Sequence, residues 1–166
     1  MLHKTLNLLG PLFQFERFNA HCDIPCRIYD PATAIIAALS VIRVIDIMNE
    51  IESQDDPSCL SSINTLIRCV QRKEEEAEKL KHEVRVIWGD YFKEPQFQSH
   101  PDIHELTHNI MLKASVCKQG SKHEDAENLL ELVNQFAEIF WATKDIKTVR
   151  IVAPYPPSLP VVYPQI

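Results

Sequence analysis

The chain has 166 residues, 45% apolar and 24% charged, with a net charge of −6 and only three glycines. That length suits one domain with a single core. The acidic balance argues against nucleic acid as the main partner, since phosphate binding wants a basic face. Three glycines are too few for a turn-rich all-β fold, and no apolar run approaches the roughly 20 residues that span a bilayer, so no membrane partner is expected.

In chain order, "MLHKTLNLLGPLFQFERFNA" (1–20) is apolar but interrupted at Gly10–Pro11, and Phe18 occupies the place where secretory cleavage wants a small residue. After "YDP" (29–31), "ATAIIAALSVIRVIDIMNEI" is apolar on almost every face and predicts a core helix, with Asp30 as its cap and Pro31 in its first turn. "DDP" (55–57) repeats that opening and predicts a long second helix through "INTLIRCVQRKEEEAEKLKHEVRVIW". Its run "RKEEEAEKLK" (72–81) places Glu and Lys at helical spacing and reads as an exposed face. "GDYFKEPQFQS" (89–99) breaks that helix, and Pro101 opens a third, ended by Gly120. "SKHE" (121–124) has capping-box spacing for a fourth, whose apolar stripe is Leu129, Leu132, Val133, Phe136 and Phe140. No segment alternates as a strand does. The tail "PYPPSLPVVYP" (154–164) reads as extended or disordered and solvated; its Pro157–Pro160 PxxP nominally fits an SH3 groove. Four helices with short connections predict an all-α, antiparallel four-helix bundle.

Five cysteines are present. Cys59, Cys69 and Cys117 fall in helical segments and read as small buried hydrophobes. Free thiols and the failed secretory pattern point to the cytoplasm. Cys22 and Cys26 differ: "HCDIPC" (21–26) crowds two thiols and an imidazole into six residues. The spacing departs from CxxC, and on spacing alone a metal hook and a thiol redox pair stay open. His100, His104 and His108 lie at i, i+4 and i+8, a spacing that suits a helical metal face but equally a surface row of histidines.

"HCDIPC-x-I-YDP" closely resembles the nickel-binding hook that opens mature nickel superoxide dismutases. The resemblance continues in "KHEVRVIWGDYFKEPQF" (81–97), "HPDIHEL" (100–106), "KQGSK" (118–122) and "IFWATK" (139–144), and covers about residues 21–144. It implies a four-helix bundle assembled as a homohexamer, one nickel ion per subunit and superoxide as substrate, converted to O₂ and hydrogen peroxide by Ni(III)/Ni(II) cycling. The implied division is a leader (1–20) removed by a processing protease, a hook (21–30), the bundle (31–146) and the Pro-rich tail (147–166). The implied ligands are the thiolates of Cys22 and Cys26, the α-amine and imidazole of His21, and the backbone nitrogen of Cys22. Anionic sulfur and nitrogen donors in a plane suit nickel. The resemblance also points to Asp23 and Tyr29 as hook residues, to Tyr91 as a second hydroxyl at the entrance, and to Lys93 as a cation that attracts the anionic substrate past an acidic protein. The alternative is a nickel-free structural relative or a thiol redox module using Cys22 and Cys26.

Three positions depart from the family. Arg27 stands where it has glycine, Ala37 where it has a carboxylate supporting the axial imidazole, and Glu76 where it has the arginine that holds that carboxylate. Partners behind a metal-bound histidine orient it, so axial ligation by His21 is expected to be less well supported than the thiolates.

Overall fold

The computed structural model describes residues 27–166. Its elements are α1 (Ala32–Glu52), α2 (Leu60–Val86), a π-helical turn (Ile87–Tyr91), α3 (Glu94–Ser99), α4 (Ile103–Gln119), α5 (His123–Ala142), β1 (Thr148–Val152) and β2 (Pro160–Pro164). The four long helices close into a ring: α1 packs on α2 and α5, α2 on α4, and α4 on α5. Short connections make successive long helices antiparallel, as the apolar periodicity predicts.

α1 opens where expected, with the Asp30 carboxylate accepting from the Ala32 N–H at 2.8 Å. Ala34, Ala37, Ala38, Val41, Ile42 and Ile45 are fully buried. Small side chains at 34, 37 and 38 let two neighbouring helices approach at once, which is why the segment is apolar nearly all round. By length and composition α1 is long and apolar enough to cross a membrane, contrary to the expectation from the sequence. In the fold, half of that apolar window is buried inside the bundle.

α2 starts at Leu60, later than "DDP" suggests. Cys59 caps it, its Sγ accepting from the Ser62 N–H at 3.4 Å. The charge run is not wholly an exposed face: Lys73 and Glu76 are buried. The Lys73 ammonium donates to the carbonyls of Lys118 (3.2 Å) and Gly120, satisfying acceptors left over at the end of α4. Burial nevertheless holds the Lys73 ammonium below the usual lysine range. Glu76 pairs with Arg72 at 2.8 Å while its second oxygen, Oε2, has no partner. The predicted break at 89–99 holds the π turn and α3. α4 begins at Ile103, two residues after Pro101. The capping box at Ser121 does not form: α5 starts at His123, which instead reaches Asp46 of α1 at 3.0 Å.

The C-terminal segment is the largest correction. It is an antiparallel hairpin, Thr148 pairing with Pro164 and Val152 with Pro160, and it is docked rather than solvated. Val161, Val162 and Ala153 are buried. Asn134 of α5 is the fastener: its amide donates to the Pro160 carbonyl at 3.0 Å and accepts from the Val162 N–H at 3.1 Å. Arg150 adds a fork to Glu131 (2.6 and 3.0 Å) and reaches Glu138 at 2.7 Å. The prolines sit at strand ends, where no ladder N–H is needed. Replacing Asn134 by leucine leaves the buried Val162 N–H and the partly buried Pro160 carbonyl unpaired and is expected to lower stability by about 1–3 kcal/mol. Chemical denaturation measures that loss, and faster hydrogen exchange at the Val162 amide locates it.

Candidate functional site

The family-like hydroxyls meet at one end of the bundle. Tyr29, just ahead of α1, and Tyr91, at the end of the π turn, have ring centroids 5.8 Å apart at 53°. A π turn adds a residue to the helical hydrogen-bond ring, a feature often found at functional positions. It ends at Phe92, which is buried against Phe136 and Phe97 and so fixes where Tyr91 points.

The C-terminal turn of α5 holds Tyr91 from the other side. Its ring lies 4.8 Å from that of Phe140, and the Lys144 ammonium sits 4.7 Å from its centroid, in cation–π range. Its hydroxyl is 2.6 Å from Thr143 Oγ1, which itself donates to the Phe140 carbonyl at 2.6 Å. Lys93 is exposed, and its ammonium donates to the Gly89 carbonyl at 3.0 Å. Lys144, which the residue pattern did not single out, is therefore the cation on the tyrosine pair. Its sequence signal was present in "IFWATK", where a Thr–Lys after an apolar helix reads simply as a helix end.

His21, Cys22, Asp23 and Cys26 lie outside the described residues. Cys26 is three residues from Tyr29 in the chain, a span of at most roughly 11 Å even when fully extended. Arg27, the first described residue, has φ 58°, the left-handed region that favours glycine. The physical sense of a glycine at this position is thus visible in the backbone.

The bundle offers no competing metal site: among the described residues no three His, Cys, Asp or Glu side chains group to hold an ion. His100 ends α3, and His104 accepts from the Trp88 indole at 3.1 Å while packing on Phe97, so the histidine row does not converge. Cys59, Cys69 and Cys117 are free thiols. Burial pushes Cys117 up to about 11, a protonated thiol unsuited to ligation at neutral pH. Ala37 is fully buried and carries no carboxylate.

A family profile described as nickel-containing superoxide dismutase matches residues 16–144. The chain belongs to that family. It is 36% identical to the superoxide dismutase [Ni] of Streptomyces coelicolor, covering 76% of this chain and 89% of that one. It is 37% identical to the corresponding protein of Streptomyces seoulensis, covering 77% and 91%. A native nickel superoxide dismutase structure superposes with a TM-score of 0.64 at 37% identity, covering 75% of this chain and 99% of the other. An apo structure gives 0.62 at 35% identity. The chain is thus an oxidoreductase that dismutes superoxide, with nickel as its cofactor. The β hairpin begins at Thr148, beyond the matched residues.

A left-handed φ costs a non-glycine residue about 1 kcal/mol. If the free hook relaxes out of this backbone in solution and metal binding restores it, Arg27→Gly is expected to raise nickel affinity about fivefold. Competition against a chelator measures it, and equal or weaker affinity would show that the strain at Arg27 is not coupled to binding.

Proposed function

We propose that His21, Cys22 and Cys26 hold the nickel ion, and that Tyr29, Tyr91 and Asp23 surround it as the approach for superoxide. The donor set fits: two thiols with nitrogen donors suit nickel better than a hard oxygen-ligand metal. The observation that carries the reading is the place of "HCDIPC" in a chain of this family, with its second thiol three residues from a tyrosine in ring contact with another. Bound nickel supplies one-electron chemistry between its Ni(III) and Ni(II) states, which the chain's own side chains lack.

The protein's share is to bind, admit and exclude. Two packed aromatic rings at the root of the hook restrict the approach to small species. Lys144 on the Tyr91 ring, with Lys93 two residues from it, supplies local positive charge to an anion that a chain of net charge −6 otherwise repels. Assembly of several copies, in the family's manner a homohexamer, is supported by an exposed apolar row on α2: Leu60, Ile63, Ile67 and Val70. Their 3–4 spacing forms the narrow seam that another helix covers.

Removal of residues 1–20 belongs to the same proposal and follows from bonding. While Ala20 is attached, the His21 nitrogen is an amide whose lone pair is delocalised into a carbonyl. Cleavage makes it an amine with an ordinary pKa of about 7.7–8.0, neutral often enough to bind a metal. The full-length chain is therefore expected to be inactive with excess nickel, and a form beginning at His21 active. Both forms are loaded under reducing conditions and assayed side by side; equal activity from the full-length chain would rule out amine ligation.

Replacing Cys22 or Cys26 by serine is expected to abolish nickel binding and turnover while helix content, read by circular dichroism, stays unchanged. A Cys26→Ser protein with native dismutase activity would show that the hook is misassigned.

A further inference from the structure

The hydrogen-bond chain at Tyr91 has a direction, and the direction has a chemical effect. The Phe140 carbonyl lies in the last turn of α5, where carbonyls lack a helical partner. It can only accept, so in the 2.6 Å contact Thr143 is the donor. A threonine hydroxyl has one proton. With that proton committed to Phe140, the 2.6 Å contact between Thr143 and Tyr91 requires Tyr91 to donate. A phenol also has one proton, and Tyr91 has spent it.

We infer that Thr143 is a positioning residue that locks the Tyr91 hydroxyl as a donor into the protein, so that Tyr91 presents only lone pairs to whatever approaches past Tyr29. The Phe140 and Lys144 contacts on the ring hold the oxygen in place. Superoxide carries no proton and has only acceptor oxygens, so a locked Tyr91 gives it no hydrogen bond. Hydrogen peroxide and water can both donate to the same oxygen. The lock thus makes Tyr91 discriminate by hydrogen-bond polarity: it offers a hold to protonated species and none to a bare anion that would otherwise lodge at the entrance. This rests on the reading that Tyr91 stands on the substrate's approach.

Two measurements on wild type, Thr143→Val and Thr143→Ser test it. The first is the intensity ratio of the tyrosine Raman doublet, which separates donor from acceptor phenols, recorded on the nickel-free full chain with Tyr91→Phe subtracted to isolate the Tyr91 signal. The second is inhibition by azide, an anion that can only accept, of the nickel-loaded form beginning at His21. The expected result is a donor-type Tyr91 signal in wild type and Thr143→Ser that is lost in Thr143→Val. Azide inhibition is expected to tighten about three- to tenfold in Thr143→Val alone, the worth of one released hydrogen bond. An unchanged Tyr91 signal in Thr143→Val, or equal azide inhibition in all three proteins, would overturn the assignment. A loaded form beginning at His21 without dismutase activity would count against the hook reading, and the Raman arm would still decide the role of Thr143.

Discussion

The end of the bundle around Tyr29 depends on how the last turn of α5 grips Tyr91. Phe140 packs on the ring, Lys144 covers its face and Thr143 hydrogen-bonds its hydroxyl. Through Tyr91 the end of α2 is fastened to the end of α5, and Tyr29 at the start of α1 leans on the same ring. Three helix termini are thereby joined around one ring.

The buried charges show how the bundle tolerates polar groups inside. Lys73 is acceptable because the chain end of α4 supplies carbonyls that would otherwise be unpaired, and the cation lies at the negative end of that helix. Glu76 is less well served, with one oxygen on Arg72 and the other without a partner. A buried carboxylate oxygen with nothing to accept from is costly, and no contact in the structure explains its retention.

Much of this was legible in the sequence because helices and hooks leave marks in residue spacing. The apolar faces of α1 and α5 follow from periodicity, and Asp30 performs the capping that its place before Pro31 suggests. The backbone of Arg27 is glycine-like, whereas the spacing of Cys22 and Cys26 alone leaves a metal hook and a thiol pair open. Other features leave no such mark. A π turn is a change in hydrogen-bond register that no composition encodes. The hairpin was hidden by its prolines, which argue against strands until one sees that they stand at strand ends. Lys73 and Glu76 sit in a run that helical spacing alone cannot sort into inside and outside. Thr143 and Lys144 act through a partner 52 residues away in the chain, in the case of Thr143, and no local pattern reports that.

The π turn carries one further consequence. Ile87–Tyr91 holds one residue more than an α-helical path between Val86 and Phe92 would need. Each residue along an α-helix turns the chain by about 100°. Inserting a further residue between Trp88 and Asp90 would preserve every core contact before it, yet overshoot that path by about one helical step and swing the tyrosine away from Thr143 and Tyr29. The segment is thus far less tolerant of length change than of substitution. Gly89, with open space around its Cα, accepts many side chains, but the count of residues across the turn is fixed by the partner that Tyr91 must reach.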